Sequence, residues 1–158
     1  MKINFDNILL MLLSPSEAVL LMVLMERAGD GDKDEFITIT NKTLEALTNV
    51  PYSRVYSIIG NLIKLDLVGV DEKREGKNTW SYCVDYSNVN KVIDAIKSFN
   101  PNNELLTYSN DNTAIHDMIE YCESYRKSCG LETLKDIRKR KGKRKTKNKK
   151  QIVVITQL

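Results

Sequence analysis

A tight break at Asn49-Val50-Pro51 constrains the fold of this chain most, because it separates two short amphipathic segments. The first segment predicts a helix over about 41–48, capped by Thr40 or Asn41. The second predicts a helix over 51–65. The asparagine of the break tolerates the left-handed backbone that such a turn requires. The apolar stripe of the second helix consists of Val55, Ile58, Ile59 and Leu62.

A clear helix start precedes this unit. Ser14-Pro15-Ser16-Glu17 provides a capping serine, a proline at the first helical position and a carboxylate where a capping box requires one. The helix should run to Arg27. The other predicted elements are a strand over 36–40, where β-branched residues alternate, and a hairpin with strands 67–70 and 79–84 around a polar tip at 71–78.

The predicted order is therefore helix, strand, helix, turn, helix, hairpin. Within it, TLEALTNVPYSRVY occupies 43–56 and LIKLDLV occupies 62–68. With the opening LSPSE at 13–17, these stretches resemble the winged helix-turn-helix superfamily, which includes prokaryotic and phage transcriptional regulators and replication initiators. Asn49 and Asp66 stand where the family usually has glycine, and both residue types visit the left-handed region.

The resemblance implies an α+β fold, mostly α, with a winged domain and its N-terminal segment over 1–86. A helical extension over 87–134 and a tail over 135–158 should follow. In the extension, apolar residues recur at alternating spacings of three and four, which is typical of a helix-pairing seam. The seam either joins two subunits into a homodimer or packs back on the body. Its members are Ile115, Met118, Cys122, Tyr125 and Cys129.

The net charge of +3 conceals a division of the chain. Lys135 to Lys150 contains eleven basic residues and one acid, whereas the chain up to Leu134 contains thirteen basic residues and twenty acids. A basic arm of this kind favours an acidic partner, most often nucleic acid, and the partner expected here is double-stranded DNA. The arm raises affinity without selecting sequence and makes binding depend steeply on salt. The alternatives are a solubilising tail, RNA binding, or a nuclear import signal if the host is eukaryotic.

If the resemblance holds, the helix at 51–65 lies in the major groove, the hairpin tip lies along the DNA backbone, and the tail neutralises phosphates. Arginine can pair with guanine and asparagine with adenine. The alternative is an ordinary solvated helix face. The DNA-contacting residues implied are Thr43, Ser53, Arg54, Tyr56, Ser57, Asn61 and Lys64 on the helices, Lys73, Arg74 and Lys77 at the hairpin tip, and Arg138, Lys139, Arg140, Lys141, Lys143, Arg144 and Lys145 in the tail.

Other classes of function lack a signal in the sequence. No phosphate-cradling glycine loop, metal-ligand cluster or nucleophile with a neighbouring base is present, so we expect neither an enzyme nor a cofactor or metal. Three cysteines without a Cys-x-x-Cys pair favour a reducing compartment. The apolar stretch 8–25 is interrupted by 14–17, so we expect no membrane span. The expected location is cytoplasmic, on the nucleoid or on viral DNA, or nuclear if the host is eukaryotic.

Three roles fit this pattern. The first is a regulator of transcription that binds DNA as a dimer. The second is a phage or plasmid replication initiator that marks an origin and recruits a replication protein. The third keeps the winged fold as a protein-docking module, in which Ile152 to Ile155 could add a strand to the sheet edge of a partner.

Overall fold

The computed structural model describes residues 5–28, 36–76, 79–100 and 113–142. The chain has an α+β fold that is mostly helical, with one small antiparallel sheet. The elements in order are a 3₁₀ helix at Asn7–Met11, α1 at Pro15–Ala28, β1 at Ile37–Thr40, α2 at Asn41–Thr48, α3 at Tyr52–Lys64, β2 at Val68–Gly76, β3 at Thr79–Val84, α4 at Tyr86–Lys97, α5 at Thr113–Ser128 and α6 at 134–142.

Both predicted helix starts are confirmed. At α1 the Ser14 N–H donates to Glu17 Oε1 at 2.8 Å, and the Glu17 N–H donates to Ser14 Oγ at 3.4 Å, which is the reciprocal geometry of a capping box. At α2 the cap is Thr40 rather than Asn41, because Thr40 Oγ1 accepts from the Thr43 N–H at 3.1 Å. Side chains three residues away therefore satisfy backbone donors that the helices leave unpaired.

The turn between α2 and α3 also forms as predicted. Asn49 adopts a left-handed conformation with φ of 61°, and Asp66 does the same before β2 with φ of 62°. The Asn49 N–H donates to the Glu45 carbonyl at 2.8 Å, and the Glu45 carboxylate accepts from the Tyr52 N–H at the start of α3. Glu45 thus links the end of one helix to the beginning of the next.

The three strands form an antiparallel sheet in the order β1-β3-β2. Strand β2 continues to Gly76, so the prediction of a polar tip over 71–78 was wrong for 71–76. Polar side chains do not end a strand when its backbone pairs across the hairpin, and here Asp71 lies opposite Ser81 and Gly76 opposite Thr79. A register shift separates the two pairs.

One core joins the N-terminal and C-terminal parts of the chain. Leu20, Leu21 and Leu24 of α1 are fully buried, since α2, α3, the sheet and the 3₁₀ helix all contact this helix. The helices α4 and α5 contact each other and the 3₁₀ helix. The wide apolar surface of α1 is thus covered from several sides.

The apolar seam of α5 belongs to this same core. Met118 and Cys122 are buried within it, and the Tyr125 hydroxyl donates to the Leu65 carbonyl at 2.8 Å. The seam therefore packs back on the body, and the alternative of a subunit-joining seam is corrected for these residues. Gly130, with φ of 80°, follows the end of α5.

The apolar stretch 8–25 is divided between the 3₁₀ helix and α1, which meet at the Ser14 cap. Within the part of the chain that the structure describes, no helix has both the length and the apolar character needed to cross a bilayer.

Candidate nucleic-acid interface

The helix α3 separates its apolar and polar residues cleanly. Its stripe of Val55, Ile58, Ile59 and Leu62 is buried, so the opposite face is turned to solvent. The helix contributes no carboxylate to this outer face, because α3 contains neither Asp nor Glu, and Glu45 of α2 meets α3 at the Tyr52 N–H. The predicted contact residues that are exposed on this face are Ser53, Arg54, Tyr56, Ser57 and Lys64.

Within this face, the Ser57 hydroxyl donates to the Arg54 carbonyl at 3.0 Å, so the serine is partly engaged with its own helix. The Thr43 hydroxyl is similarly close to Thr40 Oγ1, at 2.8 Å, although Thr43 is exposed on α2. Arg54 and Lys64 give the outer face of α3 two cations. The face therefore offers positive charge and hydroxyl groups, which suit phosphate oxygens and base edges.

Asn61 is placed differently from the other predicted contact residues. It is half-buried, and its Nδ2 donates to Glu17 Oε2 of α1 at 3.0 Å. A side-chain amide committed to a carboxylate in this way cannot offer the same N–H to a base. The structure therefore gives Asn61 a role in holding α3 against α1.

Glu17 is the centre of a buried polar cluster that the sequence did not suggest. Its Oε1 lies 2.6 Å from Arg126 Nη1, and both side chains are 2% exposed. Arg126 also donates from Nη1 to the Leu12 carbonyl at 3.0 Å and from Nε to the Glu132 carbonyl at 2.7 Å. The Arg126 guanidinium thus donates hydrogen bonds to several segments of the chain. Through Glu17 it is also connected to Asn61 of α3.

The titration of Glu17 reflects these contacts. Burial alone raises the pKa of a carboxyl, but the hydrogen bonds from Arg126 and from the Ser14 N–H oppose it. The positive charge of Arg126 and the hydrogen bond from Asn61 act in the same direction, and the pKa of Glu17 lies below its ordinary value of 4.5. Glu17 is therefore held in its ionised form as a structural anion.

An aromatic pair lies where α3 meets the hairpin. The rings of Tyr56 and Trp80, from α3 and β3, have centroids 5.8 Å apart and planes tilted by 44°. Trp80 is half-buried, whereas Tyr56 is 62% exposed. Beneath them Tyr82 is buried, and this burial, together with the nearby Tyr56, raises the pKa of Tyr82 to about 12. Tyr56 was predicted from the sequence as a contact residue, whereas its aromatic partner Trp80 was not.

The predicted hairpin contacts are only partly described. Lys73 and Arg74 lie in β2, so they belong to a strand rather than to a tip, and the positions of their side chains lie outside the description. Lys77 lies outside the described residues.

The first part of the basic tail is a helix. Leu134 of α6 is buried and Ile137 is half-buried, and both lie along an apolar groove whose other wall is formed by α1. The predicted contacts Arg138, Lys139, Arg140 and Lys141 are exposed. Among them Arg140 Nη2 lies 3.3 Å from Glu132 Oε2. The remaining predicted contacts Lys143, Arg144 and Lys145 lie outside the described residues.

Comparison of the chain with family models, with curated proteins and with solved structures finds no match. Across the described ranges, no group of three or more His, Cys, Asp or Glu side chains could hold a metal ion. The outer face of α3 and the exposed part of α6 are two described surfaces that carry predicted contact residues with positive charge.

Proposed function

We propose that this chain is a winged helix-turn-helix protein that binds duplex DNA and regulates transcription. In this proposal α3 enters the major groove, the β2–β3 hairpin follows the DNA backbone, and the basic tail neutralises further phosphates. The observation that carries the proposal is the carboxylate-free outer face of α3, presented after a tight turn from α2.

The surrounding architecture supports this assignment. The turn at Asn49 and the Glu45 contacts fix the angle between α2 and α3, and the buried stripe of α3 leaves its polar face outward. The β2–β3 hairpin follows α3 directly in the chain, which is where a wing belongs. A protein that reads a groove needs such a rigidly held helix, because base contacts depend on register.

The sharpest test replaces Arg54, since it is exposed on the outer face and can pair with guanine in two places. The DNA site is first selected from random duplexes with the full chain, and binding is then measured by fluorescence anisotropy. We expect Arg54→Ala to weaken binding about 10-fold, or ~1.4 kcal/mol. Arg27→Ala, which removes an exposed arginine from the end of α1, is the matched control and should leave affinity unchanged.

The structure also decides which variant is unsuitable. Asn61→Ala would disturb the hydrogen bond to Glu17, so a loss of binding in that variant would not separate DNA contact from folding. If no duplex is selected, or if Arg54→Ala binds as tightly as Arg27→Ala, reading by α3 is disproved. A protein-docking role for this face would then be the better account.

The role of the tail is tested by a chain that ends at Gly142. This version retains α6 with Arg138, Lys139, Arg140 and Lys141, and it removes the more distal basic residues. Each phosphate contact that is lost lowers the dependence of log K on log salt by about 0.9. We expect the shortened chain to bind more weakly with a shallower salt slope, while its sequence preference is kept. An unchanged slope would exclude the distal tail from binding.

A further inference from the structure

The outer face of α3 is unusual for a surface that only reads duplex DNA. With two cations along the helix, it carries two exposed tyrosines, Tyr52 and Tyr56, and the half-buried Trp80 of β3 lies against Tyr56. The pairing of Tyr56 with Trp80 joins α3 to the hairpin, the two elements that the proposed function places against DNA.

We propose that Tyr56 and Trp80 form a stacking platform for an unpaired base at a junction of duplex and single-stranded DNA. This inference rests on the proposed function and extends it. Aromatic rings stack on any base through their flat faces, and such stacking does not require a base-specific hydrogen bond. The platform would therefore recognise an opened strand rather than a particular sequence.

The geometry of the pair suits this role. Because the ring planes are tilted by 44°, Trp80 supports Tyr56 at an angle instead of covering one of its faces in a parallel stack. Tyr56 stays 62% exposed, so ring surface is open to a ligand. Half-burial of Trp80 holds the partner in place, and a fixed platform loses less conformational entropy on binding than a free side chain does.

The charge of α3 favours an anionic ligand such as a nucleic-acid strand over a neutral or basic surface. Arg54 and Tyr56, two residues apart in the helix, lie on opposite flanks of the outer face, and no carboxylate occurs in α3. The hydroxyl groups of Ser53 and Ser57 lie near Tyr56 along the helix, and they can form hydrogen bonds with the sugar-phosphate backbone of the DNA.

Intrinsic tryptophan fluorescence reports on this contact. Trp80 is its single tryptophan, so all tryptophan emission comes from the platform. The full chain is titrated with three DNAs of equal length: a blunt duplex, a duplex with a short fork of unpaired thymidines, and an oligothymidine strand. We expect the fork to quench the Trp80 emission and to bind more tightly than the blunt duplex, whereas the blunt duplex leaves the emission nearly unchanged.

The variants separate stacking from other contacts, with affinity measured by anisotropy of labelled DNA. Tyr56→Ala should lose about 10-fold in affinity for the fork and little for the blunt duplex. Tyr56→Phe keeps a flat ring and should restore the preference for the fork. Phe99→Ala is the matched control. Phe99, just after α4, and Tyr121 of α5 form a second tilted aromatic pair, with centroids 5.7 Å apart and planes at 46°.

Each other result has a distinct meaning. Equal affinity for fork and blunt duplex without quenching would overturn the platform, and the proposed duplex reading would stand. An equal loss of affinity for both DNAs in Tyr56→Ala would also overturn it, since Tyr56 would then be an ordinary groove contact. Failure of every DNA to bind would reject the proposed function and the platform together.

Discussion

Two ion pairs connect the N-terminal part of this chain to its C-terminal helices, and they differ in burial rather than in distance. Arg126 and Glu17 approach to 2.6 Å with both side chains 2% exposed. Lys97 and Asp6 also approach to 2.6 Å, but their side chains are 53% and 31% exposed. The same distance therefore occurs in two different dielectric environments.

The difference lies in what happens when one partner is removed. An exposed charge that loses its partner is solvated by water, so the pair contributes little. A buried charge that loses its partner stays uncompensated inside the protein. The buried pair therefore makes α5 part of the same folding unit as α1, whereas the exposed pair contributes little to the connection between the N-terminal and C-terminal parts.

The largest expected effect comes from Arg126→Met. The substitution keeps an unbranched apolar stem but leaves the Glu17 carboxylate without its cation, and we expect the free energy of unfolding to fall by about 3–5 kcal/mol. Urea denaturation followed by circular dichroism measures the change. If Arg126→Met lowered the free energy of unfolding by less than Lys97→Met does, burial would not distinguish the two pairs.

Acidification should produce the next effect. Because the pKa of Glu17 in the folded protein lies below its ordinary 4.5, the stability that its ionised form contributes is complete above pH 4.5 and is lost as the pH falls through the lowered value. The loss should be smaller than in Arg126→Met, since a neutral carboxyl still accepts hydrogen bonds. Urea denaturation between pH 7 and pH 3 tests this.

The control for that measurement is Glu17→Gln, which cannot ionise. Its stability at pH 7 should be lower than that of the unmodified chain, and it should decline less between pH 5 and pH 3. If the two curves remain parallel over this range, Glu17 is not a group whose protonation weakens the fold.

Replacing both partners of the buried pair should sharpen the comparison. In the chain with Glu17→Met and Arg126→Met no buried charge is left unpaired, although the hydrogen bonds to Ser14, Asn61 and the carbonyls are lost. We expect the double variant to lose less free energy of unfolding than the two single variants lose together, with a coupling energy on the order of 1–3 kcal/mol. A double-mutant cycle in urea gives this value, and strict additivity would argue against a buried pair.

The smallest effect is expected at the exposed pair. Lys97→Met should lower the free energy of unfolding by about 0.2–1 kcal/mol, and added salt should reduce the difference further because exposed charges are screened. Denaturation at low and high salt measures both. A loss as large as that of Arg126→Met would mean that the 3₁₀ helix depends on α4 through this contact rather than through packing.

Much of the fold could be predicted because its signals lie close together in the chain. The Ser14 and Glu17 cap, the Thr40 cap and the left-handed Asn49 all act within three or four residues. The stripe of α3 fixes which side of that helix is exposed, so Arg54 and Tyr56 could be placed on the outer face. These relations follow from helix geometry, which is the same in any protein.

Other features depended on contacts between distant residues. Glu17 was predicted only as a cap, yet it binds Arg126, which is 109 positions away, and Asn61, which is 44 away. By its position on the helical wheel of α3, Asn61 could not be distinguished from the exposed contact residues. Its partial burial follows from the position of α1, whose Glu17 accepts its hydrogen bond. Likewise the spacing of Met118 and Cys122 predicted a seam but could not say which surface would cover it.

The sequence by itself therefore determined most of the helices and strands, the caps of α1 and α2 and the polar face of α3, because local backbone and periodicity rules need no knowledge of distant neighbours. Only the tertiary structure decided that Arg126 is buried, that Asn61 is engaged and that Tyr56 meets Trp80. The physical reason is that the free energy of a charge, an amide or an aromatic ring depends on what lies within a few ångströms of it. Chain folding, rather than sequence spacing, brings those neighbours together.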